Sequence, residues 1–423
     1  MPIKRVTMKK KPFYGWVVVF ACMILAAAST GLLSYLNPLF VTPVTRELGI
    51  SRATFMVYQT FSTVATIICT PLISSIYKKI PMKRMLFIGT LGGAAAHLCY
   101  ASARSVEMFY LGGLLAGIFN CFYGAIPIAV LTSNWFYEKK GVATGIAFAG
   151  TGVVTSLLSP VISRVIVRYG WRMGYCLIAA LIFAVMLPNI LFLIRVTPEE
   201  MGQTPLGSKT DADGQQIPPQ GFSRKQVFRT KSFWIFSAAI FLMGSVSGPA
   251  QQQLVAYWNE QGNTPAFAAS MYSVVMFVAI FAKIFLGILY DRASVSKSTL
   301  AVGGVAVLSY LCLLAFPKGY SVLIPAVLFG VTVSVQVLAS TYVTSRLFGD
   351  KEYAFIYGLM TPMLFGGAAV GNPLSALIYD TTGNYRILWY VCAAVFALAV
   401  GAVIVADKSS IREYRKILGT ERK

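Results

Sequence analysis

Charge is scarce in this sequence. Only 12% of its 423 residues are Asp, Glu, Lys or Arg, about half the share of a soluble domain, which excludes an ordinary water-soluble enzyme and a disordered chain. There is one His, His97, and seven Cys, none in a Cys-x-x-Cys pair. That leaves almost no ligands for a metal or redox site, so no cofactor is expected. Acid is scarcest where it matters: all 15 Asp and Glu lie outside the long apolar runs or at their edges. No nucleophile–base pair can be drawn, and an enzyme is the least favoured class.

What is abundant is apolar length. The chain is 57% hydrophobic with a mean hydropathy of +0.68, and a bilayer-crossing helix needs roughly 20 apolar residues. Twelve such segments can be placed, at about 14–41, 52–77, 85–103, 107–133, 142–167, 173–194, 233–258, 266–290, 299–316, 321–345, 353–379 and 386–406. The first is too long for a signal-peptide core and reads as an uncleaved span. The expectation is an all-α integral membrane protein with twelve transmembrane helices in two pseudo-symmetric six-helix bundles. Residues 1–194 form the first bundle, 195–232 a polar, Gly/Pro-rich cytoplasmic linker with a short interfacial helix near its end, and 233–423 the second bundle with a short tail.

The net charge of +21 suggests nucleic acid until the cations are located. With the N-terminus inside, 27 Lys and Arg fall in inner segments and 8 in outer ones, which places both termini in the cytoplasm of a cell membrane, a bacterial inner membrane by expectation. The lipid bilayer, not nucleic acid, is the partner the charge implies. One cation, Lys283, remains inside a span. A shift of 213 residues places Pro160 on Pro373, Gly170 on Gly383 and Gly145 on Gly358, an internal repeat of the kind built into rocking transporters. The run Gly141, Gly145, Ala149 reads as helix packing.

The loop "GILYDRASVSK" carries Gly287, Asp291 and Arg292, and resembles the Gly-x-Leu-x-Asp-Arg-x-Gly-Arg-Lys motif of the major facilitator superfamily. The equivalent first-half loop, "SSIYKKIPMKR", has Lys78 where that motif has Asp. The segments "FYGWVVVFACM", "NWFYEKKGVATGIAFAGTGV", "YGWR" at 169–172 and "DTTGNYR" at 380–386 are similar to the oxalate/formate antiporter family and its monocarboxylate-transporter relatives. The resemblance implies the two-bundle fold and a conformational-switch role for Gly287, Asp291 and Arg292. It also implies a substrate-binding cation in the eighth span, eight residues before the loop Asp, where this chain has Lys283, and a binding-site Tyr at Tyr35. The second cation of the family's eleventh span is missing, because Leu364 stands there.

Lys283 stands about 12 Å along the helix from Asp291, and an uncompensated charge at that depth costs at least about 2.5–3.5 kcal/mol. An anionic substrate is the simplest visitor that would offset it. One buried cation suits a monocarboxylate; the alternative is a neutral Lys bonded to carbonyls. Further candidates are Asn120 and Tyr123, on one face with Gly124 by i, i+3, i+4 spacing. Gln251, Gln252 and Gln253 follow Pro249, with Gln252 the substrate-facing choice; Gln336 and Tyr342 lie in the tenth span. His97 reads as a bonded core His, with a proton-site role as its alternative.

The sequence thus predicts alternating-access transport of a small organic anion by a monomer, either by anion exchange or with protons as the coupling partner. Two rivals stay open: a superfamily exporter of drugs or other solutes, which ordinarily has an acidic residue in its cavity, and a transporter-like substrate sensor.

Overall fold

The computed structural model describes residues 13–76, 80–136, 140–206, 221–338, 342–349 and 351–418. Within these, the side chains at 71–76, 140, 141, 284, 287, 291, 336–338, 353, 354 and 418 are outside the description. Twelve helical rods run through the described residues, with no β-strand among them. They are α1 Gly15–Leu39, α2 Arg52–Ile76, α3 Met82–Ala101, α4 Val106–Trp135, α5 Lys140–Tyr169, α6 Trp171–Leu193, α7 Lys231–Glu260, α8 Pro265–Arg292, α9 Val295–Ala315, α10 Leu323–Leu338, α11 Tyr353–Thr382 and α12 Arg386–Leu418. Nine of them are long and apolar enough, by length and composition, to cross a membrane; α3, α10 and α11 are the others. Between the halves, the described part of the connection holds a short turn at Pro198–Met201 and the helix Arg224–Arg229.

The 213-residue period governs where helices start: α2 and α8, α3 and α9, and α5 and α11 begin 213 residues apart. It also governs how they pack. A Cβ at Gly117 of α4 would fall 2.0 Å from the Ser62 carbonyl oxygen, and one at Gly330 of α10 would fall 2.7 Å from that of Val275, the same two positions shifted by 213. One turn on, the Cys121 thiol donates to the Thr66 carbonyl at 3.6 Å and the Ser334 hydroxyl donates to the Ala279 carbonyl at 3.0 Å. Small residues at such crossings let backbones approach where lipid supplies no hydrophobic drive. Pro160 and Pro373 lie inside α5 and α11, whose ends are followed by Gly170 and Gly383, both at positive φ.

Among the described residues, the two halves meet at one end. We call this the distal end, opposite the proximal end at which α1 begins and α12 finishes. Every side-chain hydrogen bond that joins described residues of one half to the other lies towards the distal end. Ser163 and Ser159 of α5 donate to the Pro265 and Ala269 carbonyls of α8 at 3.1 and 3.0 Å, and Thr60 of α2 donates to the Ala369 carbonyl of α11 at 2.7 Å. Arg52 meets Glu260 and Tyr385, and Tyr272 reaches the Tyr35 carbonyl.

Candidate substrate site between the halves

Lys283 belongs to a stripe of α8 that faces the opposite half. Helical spacing puts Tyr272, Met276, Ile280 and Lys283 on one side of the rod. Tyr272 donates its hydroxyl to the Tyr35 carbonyl at 2.8 Å. A Cβ at Gly152 of α5 would meet Ile280 Cγ1 at 2.7 Å and the Met276 carbonyl oxygen at 3.0 Å. Among the described residues, the antiparallel contact between α5 and α8 therefore runs from the distal end down to Gly152. Two turns further on, Gly145 is exposed and a Cβ there would meet nothing within 4 Å, so it does not pack as the Gly-xxx-Gly reading expects. Lys283 thus stands in the cleft between the halves, one turn proximal to the last described contact between α5 and α8. Among the described residues it has neither an ion pair nor a hydrogen bond.

Across the cleft, α1 departs from α geometry. Ala27–Tyr35 winds as a π-helix, a rare arrangement often found at functional sites. Leu33 packs with Ala116 of α4. One turn proximal on each helix stand Ser29 and Asn120, whose Oγ and Oδ1 are buried without a partner. Buried polar atoms are ordinarily satisfied, and these two are among the exceptions. Asn120 sits at a break in α4: Gly124 has ψ −131°, and a Cβ there would lie 2.5 Å from the Asn120 carbonyl oxygen, so only glycine fits.

The other sequence candidates separate. Tyr123 turns its ring into the contact with α3, against Gly89 and Gly93, and so does not share a cleft face with Asn120. The physical reason is that α3 offers it two glycines to pack on. Tyr35 contributes its carbonyl to the distal closure. Gln252 is 8% exposed with its Oε1 unpartnered, one turn beyond Gly248, which faces Ala368 of α11. Its neighbours diverge: Gln251 donates to the Tyr272 hydroxyl at 2.9 Å, and Gln253 accepts from Tyr385 at 3.2 Å. The side chains of Gln336, Gly287 and Asp291 lie outside the described residues, while Arg292 is exposed at the proximal end of α8. His97 is fully buried, its Nδ1 3.0 Å from the Gly93 carbonyl and its Nε2 without a partner.

Two sequence motifs meet as scaffold rather than site. Phe13, Tyr14 and Trp16 pack by ring contacts on Trp135 and Phe136 at the proximal end. Trp135 and Asn134 donate to the Arg195 and Val196 carbonyls, both at 3.0 Å, which ties down the start of the connection between the halves. Arg172 and Trp171 of "YGWR" donate to Glu47, and this pairs two distal segments of the first half. The first of these contacts, the Arg172 guanidinium, holds the Glu47 carboxyl below its usual range.

Sequence reasoning did not single out Arg52, Glu260, Asp380, Tyr272 or Tyr385. Each sits at a helix end or on an aromatic position that reads as interfacial, and only "DTTGNYR" hinted at two of them.

A family model described as Major Facilitator Superfamily matches residues 19–324 and 253–416. Human monocarboxylate transporter 12 is 23% identical over 95% of this chain and 82% of its own length, and human monocarboxylate transporter 2 is 26% identical over 97% and 88%. Among solved structures, the nucleoside transporter NupG superposes with a TM-score of 0.69 at 14% identity, covering 92% of this chain and 99% of that one. A bacterial homologue of the human lysosomal transporter Spinster gives 0.68 at 12%, covering 98% and 99%.

Proposed function

The chain belongs to the Major Facilitator Superfamily, as a multi-pass membrane transporter related to the monocarboxylate transporters, and we propose that its cargo is a small monocarboxylate. The observation that carries this reading is Lys283: a lone cation on the face of α8 turned towards the opposite half, with no protein carboxylate or hydrogen-bond acceptor among the described residues. A lone cation at that depth of a bilayer is costly, and a substrate carboxylate supplies the missing charge. A second negative charge would find no second cation in the eleventh span, where Leu364 stands, and this favours one carboxylate over two. Asn120 and Ser29 would orient the remainder of the molecule from the first half and Gln252 from the second.

With the termini in the cytoplasm, as the distribution of Lys and Arg favours, the distal contacts lie at the outer end and the proximal end faces inward. Transport then requires the halves to part distally and meet proximally. An empty carrier would take Lys283 unpaired through the closed intermediate, which favours exchange of one anion for another over net movement.

The test is uptake of a panel of labelled C1–C10 carboxylates into proteoliposomes. Lys283→Gln should lower uptake of the best substrate by roughly ten- to a hundredfold, the worth of a hydrogen bond to a charged group. Lys283→Arg should retain part of it. Unchanged uptake by the Gln variant would overturn the reading.

A further inference from the structure

The distal closure contains one bridge unlike the others. Elsewhere the halves are joined by hydroxyl-to-carbonyl bonds, neutral and local. At the start of α2, charge crosses the boundary. Arg52 is buried; its Nη2 lies 2.6 Å from Glu260 Oε1, the only ion pair between described residues of the two halves, and its Nη1 donates to the Tyr385 hydroxyl. Its guanidinium lies 3.9 Å from the centroid of the Tyr379 ring. All of these partners belong to the second half.

Asp380 completes the bridge through the backbone. Its Oδ2 accepts from the Ala53 N–H at 2.7 Å and its Oδ1 from the Arg52 N–H at 3.3 Å. These are the first residues of α2, whose initial N–H groups have no partner within their own helix. A carboxylate at this position satisfies two of them and meets the positive end of the helix dipole. The N-terminus of a first-half helix is thus capped by a residue of the second half. The cap also fixes the backbone that aims Arg52 at Glu260 and Tyr385. Tyr385 in turn donates to Gln253 of α7, so the bridge reaches the helix whose Gln251 holds Tyr272.

We propose that Asp380 is the positioning residue of the distal gate: it caps α2 across the boundary between the halves, aims Arg52 into its pocket, and must let go before the cleft can open distally. The inference stands apart from the identity of the cargo, since it needs only two halves that separate at one end. It assigns "DTTGNYR" a mechanical duty, with Asp380 and Tyr385 gripping Arg52 from two sides.

The experiment measures the gate without any substrate. In a background lacking the seven native cysteines, nitroxide labels replace Glu107 and Lys318, exposed at the distal end of each half, or Arg84 and Lys297 at the proximal end. Pulsed electron–electron resonance then gives the distance distributions in lipid nanodiscs. Asp380→Ala should raise the long-distance distal population several-fold and shorten the proximal distances, as rocking demands. Asp380→Asn, which keeps an acceptor oxygen for the cap, should fall between Asp380→Ala and the parent. An unchanged distal distribution in Asp380→Ala would overturn the proposal. So would equal broadening of both pairs, which would mean general loosening, or an Asn variant as open as the Ala variant.

Discussion

Gln251 donates its side-chain amide to the Tyr272 hydroxyl at 2.9 Å, and that hydroxyl donates to the Tyr35 carbonyl across the boundary between the halves. The acceptor lies at the last residue of a π-helical stretch, where the ordinary backbone ladder is loosened and a carbonyl can turn outward. One amide thus orients the hydroxyl that pins α1 to α8.

Tyr272→Phe removes this bond and keeps the ring. The loss should be worth about 1 kcal/mol, a shift of about fivefold towards the state open distally. If distal opening is what admits cargo, the apparent affinity for substrate added at that face should improve by up to that factor. The concentration dependence of proteoliposome uptake reads it directly, and a weaker affinity would contradict the gating role.

Exchange should dominate over net flux. Efflux of labelled substrate from preloaded proteoliposomes at fixed pH should rise several-fold when unlabelled substrate is added outside, because under the proposed mechanism a carboxylate would accompany Lys283 through the closed state in both directions. Efflux that ignores external substrate and follows a proton gradient would instead favour symport.

The contacts of Asn134 and Trp135 with the connection between the halves are predicted to matter for stability and not for binding. Asn134→Ala loses a 3.0 Å bond to the Val196 carbonyl and should cost about 1 kcal/mol. Thermal unfolding in detergent should show a lower midpoint, while the KM for the best substrate stays within about twofold.

Acid should act through Glu47. Its carboxyl is held below the usual range, first by its hydrogen bond from Arg172 and then by that from Trp171. A depressed folded value means that the contribution is present at neutral pH and is lost as pH falls through that depressed value. The pair is solvent-exposed, so the effect is small. Between pH 7 and pH 3 the parent should lose slightly more thermal stability than Glu47→Gln, and the two should converge at the acid end.

The sequence by itself determined the fold class, because helices and closed barrels alone satisfy the backbone in a bilayer, and twelve apolar runs of about twenty residues suit helices, not the shorter strands of a barrel. It also carried the period of 213, visible in Pro160 and Pro373 and again in the Gly117 and Gly330 contacts, and it isolated Lys283, since a lone cation among apolar residues is conspicuous without coordinates. Tertiary structure alone decided which polar groups meet. Gln251, Gln252 and Gln253 are alike in sequence, yet each points 100° from the next: Gln251 meets Tyr272, Gln253 meets Tyr385, and the Gln252 Oε1 is left without a partner. Tyr123 reads as cleft-facing by spacing, but two glycines of α3 draw its ring the other way. Asp380 and Ala53 are separated by more than 300 residues, and only the docking of one half on the other makes the first a cap for the helix that begins beside the second.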